Sequence, residues 1–145
     1  MTNIQADGGS DIGWLLEELI KNIPHALGSV LLAGDGLMTA AHGFDRDQAD
    51  KMAAIASNLY STGRAAGTVF ADSDEVRQVM VELDGAMLFI SSAGNRSVLS
   101  VLASREADPR NVGYQMNQLI RSVQPFLATP ARQPATGVQG AAGPR

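Results

Sequence analysis

Cysteine is absent from the 145-residue chain, which excludes disulfide staples, thiolate metal sites and cysteine nucleophiles together. Histidine occurs only at His25 and His42. Neither stands in a ligand set at metal-binding spacing, and both read as residues at strand ends. Basic residues are in the minority, eleven against fifteen acidic ones, for a net charge of −4. That is the wrong sign for an electrostatic nucleic-acid binder. No apolar run approaches the roughly 18–20 residues that span a bilayer. Residues 1–11 lack the basic and apolar regions of a secretory signal, so the sequence predicts a cytoplasmic protein. There is no glycine-rich phosphate loop followed by Lys-Ser or Lys-Thr, and no G-x-S-x-G elbow, so neither nucleotide binding nor acyl transfer is expected. The acidic run Asp72, Asp74 and Glu75 lacks the spaced ligands of a calcium loop and reads as a solvated connector. Asn95-Arg96-Ser97 fits a glycosylation acceptor, but without a secretory signal it is only a turn. These absences predict no catalytic residues, no cofactor and no metal.

What is present is a core. Hydrophobic residues make up 45% of the chain and charged residues 18%, enough to exclude wholesale disorder. Residues 1–10 are short and polar and read as a flexible leader. Residues 128–145 hold Pro130, Pro134 and Pro144 and one large aliphatic residue, Val138. They cannot offset their ordering entropy by burial, and a disordered tail is expected. The folded body is residues 11–127.

That body opens with a helix. Ile12, Leu15, Leu16, Leu19, Ile20 and Ile23 recur at helical spacing, Ser10 or Asp11 supplies a cap, and Pro24 ends it. Residues 28–33 and 37–41 form a hairpin about the Asp35-Gly36 turn. A long helix follows over 45–66, capped by Asp45. Arg64 near its end complements the helix dipole. Strands at 76–83, 86–91 and 97–103 are separated by turn signals at Asp84-Gly85 and Gly94-Asn95. The last two strands are apolar almost throughout, which requires cover on both sheet faces. A final helix starts at Asp108-Pro109 and carries Val112, Met116, Leu119, Ile120, Val123 and Leu127. The order α-β-β-α-β-β-β-α with short loops predicts an α+β fold, an antiparallel sheet covered by helices on both faces.

This order, with Trp14-Leu15-Leu16 through Ile23-Pro24, Val30-Leu31-Leu32 before Asp35-Gly36-Leu37, residues 45–56, residues 79–83 before Gly85, the meander 87–103 and Tyr114-Gln115-Met116, resembles the roadblock/dynein light chain family, in its bacterial (actinobacterial) branch. The resemblance covers residues 11–127. It implies a five-stranded antiparallel sheet, with the first and last helices on one face and the middle helix on the other. It also implies a homodimer joined through the middle helix and third strand. Members of the family are non-enzymatic platforms for small Ras-like GTPases, in actinobacteria beside a sensor-kinase-like protein, which implies recruitment to the membrane through partners. A bacterial polarity member stimulates GTP hydrolysis by reshaping its partner's site without an arginine finger.

The residues themselves bear on that expectation. The middle helix has an apolar arc of roughly 150°, wider than one sheet face needs. Met52, Ile55, Leu59 and Tyr60 are its candidate contacts. The third strand carries Val79 and Val81 on one side and Val76 and Met80 on the other, so it is either an edge that needs pairing or a central strand in a monomer. Trp14 lies opposite the apolar stripe of its helix, placed either for a partner or against the last helix, Tyr114 or the leader. Arg46, Arg64, Arg77, Arg96 and Arg105 are scattered and read as surface groups. Two other functions compete: a small-molecule sensor of PAS or profilin type, which needs a roomy pocket, and a scaffold that holds a GTPase without changing its turnover.

Overall fold

The structure, a computed structural model, describes residues 10–128. The leader and tail therefore lie outside the described residues, apart from Ser10 and Ala128 at the outer ends of the first and last helices. The elements run α1 (Ser10–Lys21), β1 (Ala26–Ala33), β2 (Met38–His42), α2 (Arg46–Phe70), β3 (Gln78–Glu82), β4 (Ala86–Gly94), β5 (Ser97–Ser104) and α3 (Pro109–Ala128). This is the order expected from the sequence.

One antiparallel sheet has the strand order β2-β1-β5-β4-β3. Alternation sorts its side chains onto two faces. Leu31, Met87, Phe89, Leu99 and Val101 pack beneath α1 and α3, with Leu16, Leu19, Val112 and Met116. Val30, Leu32, Leu88, Ile90 and Val98 pack beneath α2, against Ala49, Ala53 and Ala56. The central strands are thus buried on both sides, as their unbroken apolar runs require. Serine clips tie the two middle strands: Ser29 Oγ donates to the Ser100 carbonyl at 2.8 Å, and Ser100 Oγ donates to the Val30 carbonyl at 3.3 Å.

The turns follow local chemistry. Gly36 takes a positive φ of 91°, and the Asp35 carboxylate accepts from Leu37 N–H at 3.0 Å. In the β4–β5 turn the two central residues are Asn95 and Arg96, both left-handed (φ 50° and 61°). The turn therefore sits one residue later than the Gly94-Asn95 signal suggested. Two positive φ values at its centre are what a two-residue hairpin needs to match strand twist.

Helix α2 departs most from expectation. Its start is a full capping box: Asp45 accepts from Gln48 N–H at 2.7 Å, and Gln48 accepts from Asp45 N–H at 3.3 Å. Its end is Phe70, four residues past the end expected at Ala66. Gly67 does not break the helix; its carbonyl accepts from Ala71 N–H at 2.8 Å and Ser73 N–H at 3.3 Å. With Asp72 left-handed at φ 56°, the chain reverses and returns along the helix. A Cβ on Gly67 would collide with the Ser73 carbonyl oxygen. Glycine is needed there for this close approach, so the residue that reads as a breaker is a docking point. Gly67→Ala should force the returning connector away and destabilise the fold by about 1–3 kcal/mol, the usual cost of overpacking. Urea unfolding followed by circular dichroism checks this, with an unchanged midpoint as the contrary result.

Candidate functional site

The β3 strand has one hydrogen-bonded neighbour, β4, and is an edge of the sheet. The alternative of a central strand is therefore excluded in this chain. Its outer row of N–H and C=O groups is open, and its sequence QVMVE has neither proline nor lysine to discourage pairing. Val79 and Val81 lie half-buried on the α2 side. Met80, opposite Phe89 in register, faces the α1–α3 side and is 52% exposed. Val76 departs from the alternation expected of it. It precedes the strand, and its methyls stand with those of Val79 around Gly63 of α2, on the same side as Val79.

On α2 the candidate residues divide. Met52, Leu59 and Tyr60 are half-buried against the sheet, whereas Ile55 points outward at 47% exposure. Ile55, Asn58, Thr62, Ala65, Ala66 and Val69 fall at three- and four-residue steps and are all exposed. They form a narrow stripe of small and apolar groups along the helix's outer face. Val69 and Phe70, 70% and 85% exposed, extend it. Sequence reading missed both because it ended the helix before them; the apolar pair after Gly67 was the available signal. Trp14 is 59% exposed on α1 and Tyr114 60% exposed on α3, so neither belongs to the core. The leader that could touch Trp14 lies outside the described residues.

The arginines are placed differently from one another. Arg64 does not serve the helix end: its guanidinium binds the Asp74 carboxylate at 2.8 Å and fastens the returning connector to α2. The hydrogen bond and charge of Asp74 raise the Arg64 pKa. Conversely, the hydrogen bond and charge of Arg64, with a smaller contribution from the Arg96 charge, hold Asp74 below its ordinary range. Arg105 donates to the Asp84 carbonyl at 3.1 Å, and Arg46 pairs with Asp50 at 3.9 Å. His25, at φ 72°, sits in the turn before β1, and His42 ends β2. Among the described residues no group of three or more His, Asp or Glu side chains could hold a metal ion, and no helix is long and apolar enough to cross a membrane. An open cleft of about 1340 Å³ wraps the end of the sheet where the β1–β2 and β4–β5 turns meet the connector.

Comparisons with known proteins agree with this architecture. The family model described as "Roadblock/LC7 domain" matches residues 12–103. A solved Roadblock/LC7 domain from Streptomyces avermitilis is similar at 52% identity, with 80% of this chain and 97% of that one covered and a TM-score of 0.78. A second Roadblock/LC7 domain from the same species is 32% identical over 77% of this chain and 96% of that one, with a TM-score of 0.63. Myxococcus xanthus MglB shares the fold at 15% identity, with a TM-score of 0.77 over 92% of this chain and 100% of that one. No curated protein matches the chain.

The Arg64–Asp74 pair has a pH signature. Asp74 binds a proton less readily folded than unfolded, so its contribution is present above the ordinary Asp pKa of about 3.9 and is lost as pH falls through its lower folded value. The stability difference between the wild type and Asp74→Asn should be constant from neutral pH to about pH 5 and close on further acidification. Urea midpoints measured across that range check it; a difference that widens in acid contradicts the assignment.

Proposed function

The chain belongs to the Roadblock/LC7 family, and from that premise we propose that it is a non-enzymatic regulatory or scaffolding homodimer that docks a small Ras-like GTPase and modulates its GTP hydrolysis. The observation that carries the reading is the adjacency of two unpartnered surfaces, the open edge of β3 and the outer stripe of α2. A two-fold axis beside β3 would pair the strand with its copy, satisfy both rows of backbone groups and set the two α2 helices side by side. Ala65, Ala66 and Thr62 let the helix backbones approach closely. Ile55 would lie at the centre of the contact, with Met52, Leu59 and Tyr60 flanking it, while Val76, Val79 and Met80 accompany the strand. Trp14, large, exposed and away from that axis, is assigned to the partner.

Three of the five scattered arginines already have partners, which favours the family's way of acting without a finger. Arg46, Arg64 and Arg105 are held by Asp50, Asp74 and the Asp84 carbonyl, so the domain would act by shaping its partner's nucleotide site. A cytoplasmic complex with a sensor kinase, brought to the membrane by its partners, is the setting the family reading suggests. The competing sensor function is less well supported in its usual form: Phe89, Leu99 and Met116 fill one sheet–helix layer, and Leu32, Ile90 and Ala53 the other.

Light scattering should give twice the 15.2 kDa chain mass, and Ile55→Asp should shift the protein toward a monomer whose circular dichroism spectrum remains that of the folded wild type. A wild-type mass that stays monomeric at all concentrations overturns the dimer. Capture from a lysate of the native host, in parallel lanes with GDP and a non-hydrolysable GTP analogue, tests the partner. A small GTPase is expected in one lane, and Trp14→Ala should reduce its recovery at unchanged melting temperature. Equal recovery in both lanes favours a scaffold without effect on turnover, and no GTPase in either lane refutes the partner assignment.

A further inference from the structure

The cleft at the end of the sheet is lined by the β1–β2 turn, the middle of α2, the connector, the end of β4 and α3. Its lining mixes polar and apolar groups in about equal part, unlike the two packed layers on either side of the sheet. Ser91 lies in its wall at 6% exposure. By register Ser91 pairs with Gln78 and Leu99, which places it on the α3 side of the sheet. Its hydroxyl has no hydrogen-bond partner among the described residues, whereas those of the more deeply buried Ser29 and Ser100 are paired; Ser97, 7% exposed and also without one, stands outside the cleft lining. Buried hydroxyls are nearly always paired, so an orphan that lines a cavity points to a group supplied from outside.

Two further features point the same way. Arg96 stands at the tip of the β4–β5 turn, in the left-handed conformation that the hairpin requires. It lines the cleft with Arg77, and neither makes an ion pair among the described residues. The carboxylates that share the lining are Asp35, Asp74 and Glu75. Asp74 is bound to Arg64, Asp35 accepts from its own turn, and Glu75 makes no ion pair among the described residues, which leaves one unpaired carboxylate beside two unpaired guanidinium groups. Across the cleft α3 presents Gly113, Asn117 and Gln124, and a Cβ built on Gly113 would meet nothing within 4 Å. The wall is therefore open in front of amide and hydroxyl donors.

We infer that this cleft is a binding site for a small oxyanion-bearing molecule, a phosphate or a carboxylate. Its charged group is read by Arg96 and Arg77, and its polar body by Ser91, Asn117 and Gln124. The site is complete within one chain and does not depend on the GTPase partner. An NMR titration of the full chain with inorganic phosphate, and separately with glutamate at matched ionic strength, tests it. Saturable shifts of the Ser91, Arg96 and Gly113 amides are expected, and the arm that produces them identifies the oxyanion. Arg96→Gly, which suits the left-handed turn, should melt no lower than the wild type yet bind about tenfold more weakly. Gly113→Leu, which fills open space and improves helix propensity, should abolish the shifts at undiminished stability. Absence of saturable shifts in both arms, or binding unaltered in either stable variant, overturns the site.

Discussion

A sheet that is apolar on both faces is the constraint on which this fold depends. Val30, Leu32, Ile90 and Val98 on one side and Leu31, Phe89, Leu99 and Val101 on the other are all essentially inaccessible to water. They leave no solvated face, so a helix layer is required on each. Burial of side chains of this size is worth about 1.5–3 kcal/mol apiece before entropy is subtracted, far more than the exposed ion pairs on the helices contribute. Everything peripheral follows from how three helices are shared between two faces. The α1 and α3 helices divide one face, and α2 covers the other alone.

Cover by a single helix has a consequence at the margins. One helix seals the middle of a five-stranded sheet but not its edges, and β3 is left with Val79 and Val81 only half-buried beneath α2 and a free row of backbone groups among the described residues. The α2 helix reaches to Phe70, and its outer side is exposed among the described residues. Its burial pattern is narrow, with Ala49, Ala53 and Ala56 the only fully buried positions. Alanines make its closest approach to the sheet, flanked by Met52, Leu59 and Tyr60, while Ile55, Val69 and Phe70 face water. The arrangement is economical if the helix serves two layers: small residues let it sit close to its own sheet, and larger ones are left for a second contact.

Most of this was legible in the sequence. Helical spacing in α1 and α3, the Asp35-Gly36 and Asp84-Gly85 turns and the unbroken apolar runs of β4 and β5 each have one simple physical reading. They agree with one another, which makes the element order recoverable. The misreadings came from residues whose meaning depends on distant chain. Gly67 looks like a stop until Ser73 is known to pack on it, and Arg64 looks like a dipole cap until Asp74 is seen to return beside it. Val76 alternates with Val79 on paper, but the strand begins two residues later, so both meet Gly63. The sheet order was equally hidden, because local pattern does not say which strand is outermost. The cleft could not be read at all: Ser91 looks like any strand serine until its burial and lack of a partner are known.

The cleft and the α2–β3 surface share a border. Tyr60 and Val76 line the cleft, and both stand among the residues assigned to the dimer contact, next to the connector that Arg64 and Asp74 hold in place. A group bound against Arg96 would change the field around Asp74, since the Arg96 charge already acts on that carboxylate. Two binding events that touch the same segment are thermodynamically linked, and the linkage is reciprocal: whatever the ligand does to subunit pairing, pairing does to ligand affinity. Residues 71–77 are the natural carrier of that coupling. They are exposed apart from Val76, anchored at one end by the Gly67 carbonyl and at the other by the β3 ladder, so a small shift there moves the edge strand without disturbing the core. The domain would in this way respond to a small molecule through the strand edge it offers to a second subunit.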